Sequence, residues 1–536
     1  MMETTAENRK VAPCQQACPA GVDVPRYIRY IKEGNFDQAL AVIRESIPFP
    51  SICGYACVHP CESQCARRQY DEPVAIRLLK RAAAEKGKDT WKDKLKTESP
   101  TGKKVAVIGA GPCGLTASYY LAGKGHAVTV FEALPQPGGM MRFCIPGYRL
   151  PNEIIDREIS VIRDRGVEIK TNASVNSAES LLKEGFDAVL AASGAWLAGK
   201  SVKLSEASAR VMDGIAFLEK VNRNTPPYIG NKVVVVGGGN TAIDSARAAL
   251  RLGAGDVTVL YRRTPEEMPA NPEEVREALE EGVKFKYLCA PAAVRNGEVI
   301  CLKMTLGSPD DTGRPKPVPV DGSEFGVAFD TLIEAVGQSA GAAALGLEGN
   351  ADGTVKIDRS FAAATKGIFA AGDAATGPSS IIQAIAQGKL AASSIDRYLG
   401  GSGDLRETLS VKNGDNLTPA LPMGTLRAAM VLPGIEERLG GFNPVEPGYD
   451  GEAALCEARR CLSCDLRDYQ VEVNSPVCKE CGYCREVCGP GVFSSGEAFN
   501  SSGYKPMAVS NTEKCVGCLR CLMVCPDFAI AVQTRR

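Results

Sequence analysis

A repeated cysteine spacing near the C-terminus constrains this chain more than any other feature. Two runs share the spacing C-x2-C-x2-C-x3-C, and their members are Cys478, Cys481, Cys484, Cys488 and Cys515, Cys518, Cys521, Cys525. The spacing is typical of two [4Fe–4S] clusters, each bound by three cysteines of one run and the fourth cysteine of the other. The expected ligand sets are therefore Cys478, Cys481, Cys484, Cys525 and Cys515, Cys518, Cys521, Cys488. Zinc is the alternative, but zinc sites usually pair two C-x2-C units across a long gap.

The length and charge of the chain limit the class of protein further. For 536 residues we expect roughly three or four domains, and an apolar content of 44% is enough for their cores. The net charge of −1 indicates no surface for nucleic acid or anionic lipid. No run approaches the roughly 18 apolar residues of a membrane helix, and the first residues lack an apolar signal segment. We therefore expect a cytoplasmic protein whose cysteines are metal ligands rather than disulfides. With only two histidines, a histidine-based site is nearly excluded.

A first glycine motif, formed by Gly109, Gly111 and Gly114, follows the predicted buried strand VAVI and opens a predicted helix. Glycines at these positions let the backbone turn tightly and approach a pyrophosphate at the N-terminus of the helix. Glu132 ends the next predicted strand, 23 residues after Gly109, where its carboxylate can accept hydrogen bonds from ribose hydroxyls. The pattern predicts a dinucleotide-binding fold, and a chance glycine turn in another α/β fold is the alternative.

A second motif of this kind contains Gly237, Gly239 and Ala242 after the predicted strand KVVVV. The end of its next strand carries no acidic residue, and Arg262 and Arg263 lie there instead. Two guanidinium groups at the ribose suit a 2′-phosphate, so the sequence favours NADPH over NADH. The alternative is that the arginines are only a solvated basic pair.

A third glycine-containing turn, AAGDAATGPSS, precedes a long predicted helix that starts near Ser379. Asp373 in this turn is a candidate to accept hydrogen bonds from the ribityl or phosphate region of a flavin. The N-terminus of the helix would point at the flavin ring and stabilise negative charge on its reduced form.

Together these motifs resemble one family, the small (β) subunit of bacterial glutamate synthase and its relatives. Those relatives include the large subunit of NADH-dependent ferredoxin:NADP oxidoreductase and the N-terminal half of dihydropyrimidine dehydrogenase. The resemblance covers about residues 10–400 and 449–464. The chain carries, in the family's order, the segments CPAGVDV, CGYACVHPCESQC, GAGPCGL, PGGMMRFCIPGYRLP, GGGNTAIDSARAA, YRR and GDAATGPSSIIQAIAQGK.

The resemblance implies FAD at the first glycine motif and NADPH at the second, with the segment PGGMMRFCIPGYRLP lying against the flavin. The implied FAD contacts are Gly109, Gly111, Pro112, Gly114, Glu132, Gly139, Arg142, Ile145, Gly337, Gly372, Asp373, Ser380 and Ile381. The implied contacts of the nicotinamide nucleotide are Gly237, Gly239, Asn240, Thr241, Arg262 and Arg263. No catalytic side chain is expected, because hydride transfer is chemistry of the cofactors.

The N-terminal segment holds six more candidate ligands: Cys14, Cys18, Cys53, Cys57, Cys61 and Cys65. In the family a segment E-A-x-R-C-L-x-C precedes such cysteines, whereas here it occurs at the far end as EARRCLSC, with Cys461 and Cys464. We therefore expect residues 449–464 to fold back and complete the N-terminal domain. By analogy with the family, one cluster takes Cys461, Cys464, Cys14 and Cys65, and the other takes Cys18, Cys57 and Cys61.

The second of these N-terminal clusters departs from the family, which supplies its fourth ligand from Gln or Glu. The corresponding position here is Lys80, and lysine is a poor ligand. Cys53, a water ligand and a degraded [3Fe–4S] cluster remain open, as does a single N-terminal cluster with the other cysteines structural. His59 is expected to be packed rather than bonded to a cluster sulfur. The leftover cysteines are expected to be small apolar residues without a catalytic role: Cys113, Cys144, Cys289, Cys301 and Cys456.

The order of these elements predicts a multidomain α/β protein. Its parts are a helical iron–sulfur domain, two Rossmann-like nucleotide-binding domains with one inserted in the other, and an α+β domain like a bacterial ferredoxin. The predicted bounds are 1–98 with 449–464, then 99–200 with 336–400 for FAD, 201–335 for NAD(P)H, 401–470 for a linker and return segment, and 471–536 for the ferredoxin-like domain. Within the FAD domain, Asn152 is predicted to cap a helix that ends at Gly166.

The predicted function is that of an FAD- and NAD(P)H-dependent iron–sulfur oxidoreductase with four [4Fe–4S] clusters. It would pass electrons from NADPH to a partner subunit, either of the glutamate synthase type or another low-potential reductase. A self-contained ferredoxin:NAD(P) oxidoreductase, also as part of an electron-bifurcating complex, is the alternative. A partner is favoured because the chain carries no substrate chemistry of its own.

Overall fold

The first of two parallel sheets carries the first glycine motif. The computed structural model describes residues 11–199, 210–295, 297–310, 313–411, 420–422, 424–466 and 468–534. The sheet has five strands, in the order Ile368–Ala370, Ala188–Ala191, Lys104–Ile108, Ala127–Phe131 and Glu168–Lys170. Its central strands are almost wholly buried, as expected for apolar runs with helices on both faces of a parallel sheet.

A second parallel sheet is inserted between the fourth and fifth strands of the first along the chain. Its strands lie in the order Val211–Asp213, Thr331–Glu334, Lys232–Val236, Asp256–Leu260 and Lys284–Lys286. Between Lys284–Lys286 and Thr331–Glu334 of this second sheet, the chain forms a separate antiparallel sheet. Its strands are Cys289–Arg295, Glu298–Pro309, Pro315–Pro319 and Phe325–Ala328. Where the chain crosses between the two units, Leu197–Ala198 pairs antiparallel with Gln338–Ser339.

Helices cover both parallel sheets. Around the first sheet they span Pro112–Gly123, Met140–Phe143, Asn152–Asp164, Ala178–Lys183, Asp373–Thr376 and Ile381–Tyr398, with a 3-10 turn at Ala342–Leu345. Around the second they span Gly214–Asn222, Asn240–Arg251 and Pro272–Glu280, with a 3-10 turn at Pro265–Glu267. The predicted cap at Asn152 is wrong: Pro151 is the N-cap residue, and the Asn152 side chain accepts a hydrogen bond from Arg142 at 3.4 Å instead.

The N-terminal unit is helical, and a later segment of the chain packs into it. Its helices span Pro13–Gln16, Val24–Lys32, Phe36–Arg44, Pro50–Ala56, Pro60–Ser63 and Ile76–Lys86, with 3-10 turns at Ala66–Gln69 and Asp89–Lys94. Further along the chain, short helices form at Ile435–Leu439 and Gly451–Ala458. The second of these lies against Val24–Lys32 and Ile76–Lys86, so that Ala454, Ala458 and Cys461 join the buried core of the N-terminal unit.

The C-terminal unit consists of two antiparallel strand pairs around the cysteine runs. Tyr469–Val473 pairs with Ile530–Thr534, and Phe493–Ser495 pairs with Met507–Val509. Short helices span Tyr483–Glu486 and Arg520–Val524, with a 3-10 turn at Thr512–Lys514. The predicted fold class, with Rossmann-like sheets and a ferredoxin-like domain, is thereby confirmed. Within the described ranges, no helix is long and apolar enough to cross a lipid bilayer.

Candidate functional site

A cavity of about 870 Å³ lies between the two parallel-sheet units. Both units contribute to its wall, as do Ala56 and Val58 of the N-terminal unit. The predicted cofactor residues that line it are Pro112, Ile145, Gly237, Gly239, Asn240, Thr241, Arg262, Arg263, Gly337, Asp373, Ser380 and Ile381. The other predicted residues, which do not line it, are Gly109, Gly111, Gly114, Glu132, Gly139, Arg142 and Gly372. The structure thus brings the second motif and the third turn together at one cavity.

Two glycines of the first glycine turn, Gly109 and Gly114, are packed too tightly for a side chain. Gly109 has φ +102°, and a Cβ on it would lie 2.6 Å from the carbonyl oxygen of Ala192. A Cβ on Gly114 would lie 2.1 Å from the carbonyl oxygen of Gly109, which explains why the helix Pro112–Gly123 can start so close to the strand. A Cβ on Gly139 would lie 2.8 Å from the Gly111 Cα, so the segment that follows Pro137 rests directly on this turn.

Glu132 lies at the predicted strand end, and its carboxylate braces the same turn. One oxygen accepts a hydrogen bond from the backbone N–H of Ala110 at 2.7 Å, and the other accepts one from Leu134 at 2.8 Å. Burial raises the pKa of Glu132, while these backbone hydrogen bonds lower it. Each carboxylate oxygen has a second lone pair, so the predicted bond to a ribose stays a prediction.

Arg142 does not face the cavity, and its guanidinium is engaged within the protein. It donates to the carbonyl oxygen of Pro137 at 2.7 Å and forms a short ion pair with Asp156. The side chain is buried behind the loop that rests on the first glycine turn. Arg142 therefore holds that loop in place, and its predicted contact with the flavin stays a prediction.

The two arginines of the second motif differ in their surroundings. Arg263 is 2% exposed, pairs with Asp310 at 2.7 Å and donates to the carbonyl oxygen of Pro315 at 2.7 Å. Arg262 is exposed at the cavity wall, where Arg314 also lies. That both arginines meet a 2′-phosphate stays a prediction, and of the two it is Arg263 whose guanidinium already holds the antiparallel sheet.

The third turn presents a helix N-terminus to the cavity. Ser380 caps the helix Ile381–Tyr398 by accepting a hydrogen bond from the N–H of Gln383 at 3.3 Å. Asp373 accepts a hydrogen bond from the Ser379 hydroxyl at 2.7 Å, and burial raises the pKa of its carboxyl. Gly372 donates its N–H to the Gln387 side chain at 2.7 Å, which fixes the turn against the helix. An N-terminal helix end at a cavity wall favours negative charge there.

Cys14, Cys65, Cys461 and Cys464 surround one small cavity, although they come from opposite ends of the chain. Burial raises the pKa of the Cys14 thiol, and Cys461, Cys464 and Cys65 raise it further. Thiols that are crowded in this way become stable thiolates only when a cation neutralises them, as an iron–sulfur cluster does. The donor set therefore fits a cluster, and it is the set that the family resemblance implied.

Cys18, Cys53, Cys57 and Cys61 form a second buried group, and Lys80 lies among them. Burial alone would lower the pKa of the Lys80 ammonium, but these four thiols, Cys53 first, raise it. Cys53 is fully buried on the helix Pro50–Ala56, which packs closely against Ile76–Lys86. The thiol of Cys53 is thus available as a fourth ligand, whereas Lys80 supplies a positive charge beside the group.

The C-terminal cysteines segregate into the two predicted sets. Cys488, Cys515, Cys518 and Cys521 line one cavity, and the pKa of Cys521 is raised to about 12 by burial and by the other three thiols. Burial likewise raises the pKa of Cys484 to about 11, with further contributions from Cys478, Cys481 and Cys525. Each set combines three cysteines of one run with the fourth of the other.

Backbone N–H groups donate hydrogen bonds to the sulfur atoms of five predicted ligands. Sulfur atoms of predicted ligands accept N–H bonds at 3.3 to 3.5 Å, and the donor–acceptor pairs are His59–Cys57, Ser463–Cys461, Val492–Cys488, Met507–Cys478 and Ala529–Cys525. Cys289 and Cys301 instead donate their S–H groups to carbonyl oxygens. Accepting sulfurs suit thiolate ligands, whose charge such bonds stabilise.

Among the described residues, no three His, Cys, Asp or Glu side chains converge tightly enough to hold a single metal ion. Zinc needs ligand atoms about 2.0–2.3 Å from one point. A four-iron cluster is larger, so its ligands stand farther apart around a cavity.

The leftover cysteines are mostly buried, as expected. Cys113, Cys144, Cys289 and Cys301 are buried, and only Cys456 of the five is exposed. The His59 side chain faces Glu62 and Glu273 at 3.8 and 3.7 Å, so only its backbone N–H contacts a predicted ligand sulfur.

Sequence reasoning missed several residues of the nucleotide cavity. Arg314 reaches it from the turn that precedes the strand Pro315–Pro319, and Ala56 and Val58 reach it from the positions on either side of Cys57. Arg149 and Asp244 both line it and form an ion pair at 2.8 Å between the two nucleotide units. Of these residues, only Arg149 could have been found from the sequence, because it lies in the segment PGYRLP that the family resemblance places against the flavin. The other residues reach the cavity through packing between distant segments.

The fold and the site define a flavin- and pyridine-nucleotide-dependent oxidoreductase with iron–sulfur domains. The family model for pyridine nucleotide-disulphide oxidoreductases matches residues 79–192 and 103–388, and the chain belongs to that family. A model for dihydropyrimidine dehydrogenase domain II, a 4Fe–4S cluster domain, matches residues 7–91, and one for a 4Fe–4S dicluster domain matches residues 477–529. The chain is therefore an FAD- and NAD(P)H-dependent iron–sulfur oxidoreductase.

Named relatives support this class. The chain is 39% identical to the β subunit of NADP(+)-dependent formate dehydrogenase of Moorella thermoacetica, over 84% of this chain and 70% of the relative. It is 37% identical to the β subunit of NADPH-Fe(3+) oxidoreductase of Geobacter sulfurreducens, over 85% and 75%. The small chain of Escherichia coli glutamate synthase [NADPH] is 31% identical over 72% and 88%, which confirms the resemblance to that family.

A solved structure supports the fold of the nucleotide-binding part. A variant of FprA from Mycobacterium tuberculosis superposes with a TM-score of 0.50, at 19% identity, over 56% of this chain and 85% of that one.

Proposed function

We propose that this chain takes reducing equivalents from NADPH and delivers single electrons to a separate partner subunit. The residues described above would hold FAD, NADPH and four [4Fe–4S] clusters, which supply hydride transfer and one-electron transfer when bound. The contribution of the protein is to hold the two nucleotides in one cavity, to exclude water and to space the clusters.

The observation that carries the proposal is the order of the thiol groups through the molecule. Ala56 and Val58, on either side of Cys57, line the nucleotide cavity. The second buried thiol group, which contains Cys61, adjoins the group around Cys14, because Cys61 is one of the residues that raise the pKa of the Cys14 thiol. In the C-terminal unit, Cys481 is exposed. Clusters at these predicted ligand sets would therefore form a series that starts at the nucleotides and ends at the surface.

We propose Cys53 as the fourth ligand of the second N-terminal cluster. Its burial among Cys18, Cys57 and Cys61 supports this role, and the ammonium of Lys80 would stabilise the added negative charge of a fourth thiolate. The number of clusters then follows from four groups of four thiols.

Within the nucleotide cavity, Arg262 is proposed to bind the 2′-phosphate of NADPH. It is the exposed member of the arginine pair, and a guanidinium matches phosphate geometry. The helix end at Ser380 would stabilise negative charge on the reduced flavin.

A partner subunit is favoured over a self-contained ferredoxin:NAD(P) oxidoreductase. The relatives from Moorella and Geobacter are named as β subunits, and the glutamate synthase relative is named as a small chain. A partner of the glutamate synthase type or another low-potential reductase would dock where Cys481 is exposed. The many reduced thiols suit a cytoplasmic setting.

Anaerobic stopped-flow spectroscopy of the purified chain tests the electron path. Mixing with NADPH should bleach the flavin first and the iron–sulfur absorption afterwards, without any added protein. Bleached flavin with fully oxidised clusters would contradict the proposed path. Co-purification from the native host tests the partner, and rapid reduction of free ferredoxin by the chain alone would favour the self-contained alternative.

A further inference from the structure

The N-terminal and C-terminal units meet at a small apolar contact between two predicted cluster sites. Ala66, Leu462 and Val516 form its buried centre, and Cys464 and Cys518 pack against it. The backbones also approach closely nearby, since a Cβ on Gly489 would lie 2.8 Å from the Cβ of Gln69. This contact brings Cys464, a predicted ligand of the same cluster as Cys14, close to Cys518, a predicted ligand of the same cluster as Cys488.

Tyr70 crosses this contact from the N-terminal unit. Its ring lines the cavity that Cys488, Cys515, Cys518 and Cys521 surround. Its hydroxyl is shielded from solvent and has no hydrogen-bond partner at bonding distance within the described residues. After burial, the Cys518 thiol is the neighbour that raises the pKa of Tyr70 most. A shielded hydroxyl beside a thiol is costly unless that thiol becomes an acceptor.

The surroundings of Tyr70 hold its ring in this position. The Arg520 guanidinium lies 4.6 Å from the centre of the ring, and Arg520 begins the short helix that carries Cys521 and directly follows the turn with Cys518. Within the described residues, the backbone N–H of Val492 donates to the Cys488 sulfur of this set, and no backbone N–H is found at bonding distance of the Cys518 sulfur. The Cys518 sulfur is therefore open to a side-chain donor.

We propose that Tyr70 donates a hydrogen bond to the Cys518 sulfur and thereby raises the reduction potential of the cluster bound by Cys488, Cys515, Cys518 and Cys521. This inference rests on the proposed function, because it requires a cluster at that cavity. A hydrogen bond to a ligand sulfur withdraws negative charge and favours the more negative, reduced state. The tyrosine is neither oxidised nor reduced, and it acts as a positioning and tuning residue.

The contact between the two units would then adjust the reduction potential of a cluster. The residue that adjusts this cluster belongs to the other unit, so the potential depends on how the two units pack. A raised potential at the first C-terminal cluster would favour electrons leaving the N-terminal unit.

The test is an EPR-monitored redox titration of the purified holoprotein with Tyr70→Phe. Phenylalanine keeps the ring and its contact with Arg520 but removes the hydroxyl. We expect unchanged iron content, a lower midpoint potential for one C-terminal cluster, and no shift for the others. Tyr504→Phe, at an exposed tyrosine of the C-terminal unit, is the control and should shift none.

Unchanged potentials in fully loaded Tyr70→Phe protein would overturn the proposal, and so would an equal shift in the Tyr504→Phe control. Such a result would leave the proposed function intact. Wild-type protein that lacks the C-terminal clusters, shown by iron content, would instead overturn the proposed function and this inference together.

Discussion

The Arg29 guanidinium and the Asp465 carboxylate form a bidentate ion pair, with N–O distances of 2.7 and 2.8 Å. Arg29 lies on the helix Val24–Lys32, whereas Asp465 directly follows Cys464 at the other end of the chain. Both side chains are buried, and removing one partner of a buried pair typically costs about 3–5 kcal/mol. The return segment is therefore anchored beside its own cysteines.

Other buried bonds hold the same segment. Glu457 accepts a hydrogen bond from the N–H of Ala75 at 2.8 Å, and Arg67 donates to the carbonyl oxygen of Arg460 at 2.8 Å. These contacts place Cys461 and Cys464 with the N-terminal unit rather than with the ferredoxin-like unit.

Replacing Cys461 and Cys464 together by alanine should remove one N-terminal cluster. Wild-type protein should contain about sixteen irons in four clusters of four, and the double variant should lose about four of them. Iron analysis of anaerobically purified protein measures the loss, and EPR shows that the C-terminal clusters remain. Cys456→Ala, an exposed cysteine on the preceding helix, is the control and should retain all the iron. A double variant with wild-type iron content would rule out these two ligands.

Arg262→Ala should abolish most of the preference for NADPH over NADH. Charge-assisted hydrogen bonds to a phosphate contribute on the order of 1.5–3 kcal/mol, so NADPH should lose roughly tenfold to hundredfold in flavin reduction rate at low concentration, while NADH changes little. Stopped-flow bleaching with each nucleotide measures both rates. Arg263→Ala should instead lower thermal stability, because it removes a buried ion pair with Asp310 and a hydrogen bond to the carbonyl oxygen of Pro315. The assignment fails if Arg262→Ala keeps the wild-type preference.

Cys53→Ala should convert the second N-terminal cluster to a three-iron form. Loss of the fourth thiolate frees one iron, so iron content should fall by about one per chain and a [3Fe–4S] EPR signal should appear. Lys80→Leu should retain four irons at this site, because lysine is not proposed as a ligand and leucine cannot bind iron. An unchanged EPR spectrum of Cys53→Ala would show that the fourth ligand is another group.

Alanine at Gly237 and at Gly239 should have different effects. Gly237 has φ +143°, and a Cβ there would lie 2.2 Å from the Ala335 carbonyl oxygen, so Gly237→Ala should destabilise the second sheet unit. A Cβ on Gly239 has no protein atom within 4 Å, so Gly239→Ala should fold normally. The added methyl group should nevertheless weaken NADPH binding, because the pyrophosphate must approach this backbone closely. Thermal unfolding and NADPH titration of both variants check the difference, and equal stability losses would contradict it.

Much of the architecture could be predicted from local patterns. The C-terminal cysteine spacing and the first two glycine motifs depend on short segments, and each predicted strand and turn of those motifs is present. That Cys461 and Cys464 lie beside Cys14 and Cys65 could be predicted only from the number of ligands that a cluster needs and from the family's order of segments. The helix cap at Asn152 failed because Arg142, ten residues earlier, recruits that side chain.

The sequence by itself determined which cofactors this protein is built for, because the size of a cluster or a pyrophosphate dictates ligand spacings and glycines within a few residues. Only the tertiary structure decided which side chains remain available to those cofactors. Arg263 and Arg262 are adjacent and chemically identical, yet Asp310 engages the first and leaves the second exposed. Tyr70 belongs to no sequence motif, and it lies near Cys518 only because the N-terminal and C-terminal units pack together. Such contacts depend on long-range packing, which no local spacing encodes.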